Sequence, residues 1–223
     1  MDILDYSDPD MMMLQVARLI SRDLRDALGR RDRVLFAVPG GSTPGPVFDL
    51  LAASDLDWDR VDVIPGDERW VAPDHPRSNA AQIRSRLLRG KAAPARLIEL
   101  WRPTPDPEDA MAEVNAAVTP LLPVDVAIVG MGIDMHTASL FPGAETLPLA
   151  LSDDAPSVVP IRAPGAGEPR VTLSAHVLRG AYALHVLITG DEKRAAIQRA
   201  AKRDPHDAPI AALLGDAMVH WAP

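Results

Sequence analysis

Short apolar runs alternate with helix-length segments along the whole of this chain. Val34 to Val38, Val61 to Ile64, Val124 to Val129, Val158 to Ile161, Tyr182 to Thr189 and Met218 to Trp221 read as strands, with a shorter one at Leu97 to Leu100. Between them lie helical segments. Asp8-Pro9 caps and opens one that runs to Leu28 and stops at Gly29. Others span Pro44 to Ala53, Ser78 to Leu88, Pro107 to Leu122 and Asp191 to Ala201. Strands that are apolar throughout, rather than on alternate residues, are buried on both faces. The pattern therefore predicts an α/β fold, a mostly parallel, Rossmann-like open sheet with helices on both faces.

The chain has 223 residues, 47% of them apolar, which is enough for one sizeable core and a single domain spanning 1–223. Proline clusters at Pro103 to Pro107 and Pro164 to Pro169 are too short to act as domain linkers, and Ala163 to Pro169 is the best flexible-loop candidate. The sequence contains no cysteine. That excludes disulfides, thiolate metal sites and cysteine nucleophiles, and fits a reducing compartment. The first residues, Met1-Asp2-Ile3-Leu4-Asp5, have neither a basic nor an apolar leader segment. No apolar run approaches the ~20 residues of a membrane span. A soluble, cytoplasmic protein that engages no membrane is expected. The formal charge of −8 argues against nucleic acid as a partner. An anionic ligand would have to be held by a local cluster of cations and backbone amides.

Three segments at strand ends carry the chemistry. The first is Val38-Pro39-Gly40-Gly41-Ser42-Thr43-Pro44, which joins a strand to a helix. Glycines that admit close approach, two hydroxyls and a helix N-terminus make an anion site, and they equally make a tight capped turn. It is not a Walker loop, because no Gly-Lys-Ser/Thr closes it. The second is Asp67-Glu68-Arg69-Trp70. Read alone it is a solvated charged loop. Beside the other strand ends, Asp67 becomes a ligand for sugar hydroxyls and Arg69 a partner for a developing oxyanion.

The third segment is Gly130-Met131-Gly132-Ile133-Asp134-Met135-His136. As a dinucleotide fingerprint it fails, because Met135 holds the third glycine position and no acid closes a following strand. As a metal site it offers two ligands without a third at convincing spacing. An acid–base pair remains, in which His136 moves a proton and Asp134 orients it, against the plainer reading of a histidine that caps a turn. Arg170 and Lys193 each open an element, and Lys193 stands in a helical first turn where the dipole disfavours a cation. His75, His176, His185, His206 and His220 show no partner pattern, and the tryptophans and Met11 to Met13 read as packing.

Together these segments resemble the 6-phosphogluconolactonase family, within the wider glucosamine-6-phosphate isomerase/deaminase-like superfamily. Pro39-Gly40-Gly41-Ser42-Thr43-Pro44 is similar to its phosphate loop, and Asp67-Glu68-Arg69-Trp70-Val71 with Ser78-Asn79 to its second motif. Gly130-Met131-Gly132, Asp134 and His136-Thr137-Ala138-Ser139-Leu140-Phe141-Pro142-Gly143 are similar to its signature. Arg170-Val171-Thr172-Leu173 and Gly190-x-x-Lys193 fall where the family has its Arg and Lys phosphate ligands. Met135 departs from the pattern, which has glycine there. At positive φ it would carry on the order of 1–2 kcal/mol of strain and set a bulky side chain beside His136.

The resemblance implies hydrolysis of 6-phospho-D-glucono-1,5-lactone to 6-phosphogluconate, the second step of the oxidative pentose phosphate pathway. It implies His136, Asp134 and Arg69 as catalytic residues. Gly40, Gly41, Ser42, Thr43, Asp67, Arg170 and Lys193 would bind the substrate. No metal and no organic cofactor is implied, and the expected partner is a small phosphorylated sugar lactone bound by a monomer or small homo-oligomer. A glucosamine-6-phosphate deaminase would share the phosphate loop and the Asp/His turn. It would carry an aromatic after its Asp-Glu, and an extra acid past the histidine. A sugar-phosphate sensor domain would bring a helix-turn-helix segment, whereas only a single helix precedes Val34 here.

Overall fold

The computed structural model describes residues 2–163 and 167–223. Part of the predicted Ala163 to Pro169 loop therefore lies outside the described residues. Seven strands form one sheet whose pairings are all parallel: β1 (Ile3–Asp5), β2 (Val34–Val38), β3 (Val61–Pro65), β5 (Arg96–Leu97), β6 (Val126–Gly130), β9 (Ala183–Thr189) and β10 (Met218–Ala222). Their spatial order is β1-β10-β9-β6-β2-β3-β5. The remaining strands, β4 (Asp67–Arg69), β7 (Val158–Ile161) and β8 (Arg170–Leu173), make a small antiparallel sheet in the order β4-β8-β7. Val158 to Ile161 is thus a strand as expected, but of this second sheet.

Successive side chains of a strand point to opposite faces, so a fully apolar strand feeds two cores. Val34, Phe36 and Val38 of β2 with Val126 and Ile128 of β6 pack on one side. They meet helices α1 (Pro9–Leu28), α2 (Gly45–Ala52) and α3 (Asn79–Arg86). Leu35, Ala37, Ala127 and Val129 face the other side. There they meet α4 (Met111–Val118), α6 (Ala175–Arg179) and α7 (Asp191–Ala200), while a short α5 (Leu147–Leu151) lies near β7. Helix α1 begins where its cap predicts: Asp8 accepts from the Met11 amide and Pro9 leads the first turn. Predicted Pro107 to Leu122 is broken into 3₁₀ turns at Pro107–Ala110 and Thr119–Leu121 around α4, each with a proline near its start. Met12 and Met13 are buried, whereas Met11 is exposed. Among the described residues, no helix is long and apolar enough to cross a membrane.

Two histidines without a sequence pattern turn out to be joined. Asp23 of α1 accepts from His185 Nε2 at 3.0 Å, and His185 Nδ1 meets His220 Nε2 at 3.0 Å. His220 Nδ1 meets the Tyr6 hydroxyl at 2.8 Å. Neutral tautomers satisfy every link of that chain: Tyr6 O–H donates to His220, His220 to His185 and His185 to Asp23. Both rings are fully buried. Burial first, then the neighbouring His185, pushes His220 down to about 3, against the opposing pull of Asp23.

A folded-state pKa below the unfolded one means that the unfolded chain binds the extra proton. The stability His220 confers is complete above about pH 6.5 and is lost as pH falls towards about 3. Urea unfolding at pH 7 and pH 5 should therefore show wild type losing on the order of 1–2 kcal/mol more than His220→Gln. Equal losses in the two proteins would remove His220 as the cause.

Candidate active site

Strands β2 and β6 lie side by side at the centre of the sheet, but their continuations part. Within the parallel sheet the next strand after β2 is β3, on one side, and the next after β6 is β9, on the other. Loops diverge at such a reversal and leave a crevice beyond the carboxyl ends of the strands. Here that crevice is a cleft of about 270 Å³. The β2–α2 loop supplies Pro39, Gly40, Gly41, Thr43 and Pro44, and the turn after β6 supplies Gly130, Met131, Gly132, His136 and Ala138. Lys193 reaches it from the first turn of α7. Asp67, Arg69 and Arg170 come from the antiparallel sheet, and Asn79 from α3.

The turn after β6 is built around His136. Its ring Nδ1 meets Asp134 Oδ1 at 2.6 Å, leaving Nε2 as the nitrogen free of that contact. The turn is closed by Gly132 N–H donating to His136 O at 3.0 Å and by Thr137 Oγ1 donating to Gly130 O at 2.8 Å. Gly132 must be glycine, because a Cβ there would stand 2.3 Å from the His136 ring. Met135 has φ +67°, the left-handed conformation in which its departure from glycine carries strain. Its side chain is buried in the core, and Met135 O accepts the Ile210 amide at 3.1 Å.

Asp67 is buried at the centre of the opposite wall. Its Oδ2 accepts Ser139 Oγ at 2.5 Å and lies 3.8 Å from Arg170 Nη1, and its Oδ1 accepts Asn79 Nδ2 at 3.1 Å. Both oxygens are thus engaged within the protein, although the residue still lines the cleft. Next to it, Glu68 caps α3, accepting the Asn79 and Ala80 amides at 2.7 and 2.8 Å and the Ser78 hydroxyl at 3.1 Å. It also accepts the Arg69 amide at 2.8 Å. Burial pushes the Glu68 carboxyl above its ordinary value, and these donors pull against that.

Arg69 and Arg170 stand directly opposite each other across the β4–β8 ladder. Like charges in that relation destabilise a sheet. Arg69 Nη1 donates to Arg77 O at 2.6 Å, and its Nε is buried with no acceptor among the described residues. Burial lowers the Arg170 guanidinium from its ordinary value, and Asp67 opposes that fall. Two arginines held together at a cleft wall, with Lys193 from another element, make a local positive site on an acidic protein.

In the β2–α2 loop Gly40 lies against α3, where a Cβ would strike Asn79 at 1.9 Å. Gly41 has φ +88°, and its N–H donates to Gln82 Oε1 at 2.9 Å. Gln82 Nε2 also donates to Gly41 O, so one side chain clamps this peptide. Ser42 opens onto an adjoining hollow that shares Gly41, Arg69 and Asn79 with the cleft. Asn79 and Ser139 lie in the motifs but were given no role there, and Gln82 lies outside them; each acts on a partner 39 to 72 residues away.

The sequence matches the family described as glucosamine-6-phosphate isomerases/6-phosphogluconolactonase over residues 7–221. A 6-phosphogluconolactonase of Rhizobium meliloti is 36% identical over 225 residues, covering 98% of this chain and 97% of the relative. One from Pseudomonas aeruginosa is 38% identical, covering 93% and 89%. The crystal structure of a 6-phosphogluconolactonase from Shewanella baltica superposes with a TM-score of 0.95 at 30% identity, covering 99% of this chain and 97% of that one. With the motif-bearing loops meeting in one cleft, these likenesses show that the chain belongs to the glucosamine-6-phosphate isomerase/6-phosphogluconolactonase family.

Proposed function

We propose that this protein hydrolyses 6-phospho-D-glucono-1,5-lactone to 6-phosphogluconate, the second step of the oxidative pentose phosphate pathway. The observation that carries the reading is convergence. His136 and Arg69, which suit ester chemistry, line the same cleft as Gly41, Arg170 and Lys193, which suit an anionic tail. The named relatives point to the same reaction.

A δ-lactone is a reactive ester, so water can attack it without a covalent enzyme intermediate. With Nδ1 held by Asp134, His136 Nε2 takes a proton from water as its oxygen bonds to C1. The carbonyl electrons move to oxygen, where Arg69 stabilises the charge, a contribution of ~3–4 kcal/mol for a well-placed donor. Collapse breaks the bond from C1 to the ring oxygen, and the imidazolium returns its proton to that leaving oxygen. Thr43, Lys193, Arg170 and the loop at Gly40 and Gly41 hold the phosphate, with Ser42 reaching it only if its hydroxyl turns from the adjoining hollow. Remote binding of this kind converts affinity into placement of C1. Asp67 keeps the arginine wall and the histidine turn in register, and a sugar hydroxyl can add to its contacts. On this reading the protein works in the cytoplasm on a small metabolite, as a monomer or small homo-oligomer.

Freshly made lactone should be hydrolysed well above its spontaneous rate. His136→Ala should lower kcat by ~10²-fold or more with the fold intact; near-normal turnover would take His136 out of the mechanism. Lys193→Ala should raise KM for the phosphorylated lactone while barely changing that for gluconolactone, and equal losses on both would contradict a phosphate role. Met135→Gly relieves the left-handed strain but empties a core site, where truncating a buried methionine costs about 2–5 kcal/mol. It should melt lower yet keep its turnover, and a large loss of kcat at a temperature where it is folded would show that the side chain itself serves catalysis.

A further inference from the structure

Phe141 lies in the same turn as His136, and no step above uses it. Its ring is half-buried against the core. The His136 ring centroid lies 4.5 Å from that of Phe141, with the two planes 33° apart. The Arg170 guanidinium carbon lies 5.3 Å from the same Phe141 centroid. One aromatic ring therefore touches the base, on the turn after β6, and a cleft cation, on β8.

Phe141 adds its ring to the polar contacts that each neighbour makes. The Asp134 contact holds one ring nitrogen of His136, and a flat ring with its centroid 4.5 Å away limits rotation of the imidazole on that side. Asp67 Oδ2 lies 3.8 Å from Arg170 Nη1. A guanidinium within about 6 Å of a ring centroid is drawn to the π face as well. An aliphatic side chain could fill the volume of Phe141 without supplying either restraint.

We propose that Phe141 is a positioning residue that holds the His136 imidazole and the Arg170 guanidinium in register with each other. It thereby couples the end of the cleft that deprotonates water to a cation that grips the anionic substrate. What those two groups act on rests on the lactonase reading, whereas the positioning itself does not.

The test compares wild type, Phe141→Leu and Phe141→Tyr, with melting temperatures to establish folding. Phe141→Leu should lower kcat by about 10-fold on phosphorylated and unphosphorylated gluconolactone alike, the scale expected when a catalytic group loses its alignment. It should also raise KM for the phosphorylated lactone alone. Phe141→Tyr, which keeps the ring, should stay close to wild type. In an Arg170→Ala background, Phe141→Leu should no longer change KM, because the partner through which it acts is gone. In the NMR spectrum of the free protein, the His136 ring protons should carry an aromatic ring-current shift in wild type and Phe141→Tyr that disappears in Phe141→Leu. Should the Leu variant not fold, Phe141→Met carries the same expectations.

The NMR arm needs no substrate. A protein that shows the shift but does not hydrolyse the lactone would sink the lactonase reading and leave the positioning standing. A folded Phe141→Leu with unchanged kcat and KM, or with unmoved His136 signals, would overturn the positioning.

Discussion

One buried carboxylate ties the site together. Asp67 bonds to Asn79 of α3, to Ser139 of the histidine turn and to Arg170 of β8, while its own strand pairs with β8. A charge away from water is costly unless hydrogen bonds and an opposite charge surround it. Asp67 has both, so the elements that supply them are fixed relative to one another. Those elements come from two sheets. The parallel sheet delivers the anion loop, the histidine turn and Lys193, and the antiparallel sheet delivers both arginines. Gly66 adds a backbone seam between them, donating to Val38 O at 2.8 Å and accepting from the Leu173 amide at 2.9 Å.

The charge arrangement follows from that frame. The chain as a whole is acidic, at −8, yet its cleft brings together Arg69, Arg170 and Lys193. Setting two arginines opposite each other in a ladder works against the sheet's stability. Part of the cost is offset by Asp67, by the Arg77 carbonyl and by the face of Phe141. On the proposed reading an anionic substrate completes the balance, which concentrates binding energy where the ligand sits. The strain of Met135 in the same region has a comparable logic, with a core side chain anchoring the turn that presents His136.

The parallel strands were legible because full burial writes itself as unbroken apolar runs, as at Val34 to Val38 and Val126 to Val129. The capped start of α1 was equally plain. The antiparallel sheet was not. Asp67-Glu68-Arg69 reads as a charged loop, and only pairing with a segment 101 residues later makes it a strand. Strand β1 is three residues long and has no internal pattern. The motif residues were legible as types at strand ends, but their wiring was not: Gln82 on Gly41, Ser139 on Asp67 and Phe141 between the His136 ring and the Arg170 guanidinium are tertiary facts. The Asp23–His185–His220–Tyr6 chain likewise joins residues that the sequence holds far apart.

On the proposed reading the cleft has a polarity, with water activated at His136 and the anionic tail gripped by the glycine loop, Arg170 and Lys193. A crystal structure with 6-phosphogluconate bound reads that polarity directly. The product carboxylate should lie beside His136 and Arg69, and the phosphate at Gly40, Gly41, Thr43, Arg170 and Lys193. A phosphate seated against His136, with the carboxylate at the glycine loop, would contradict it.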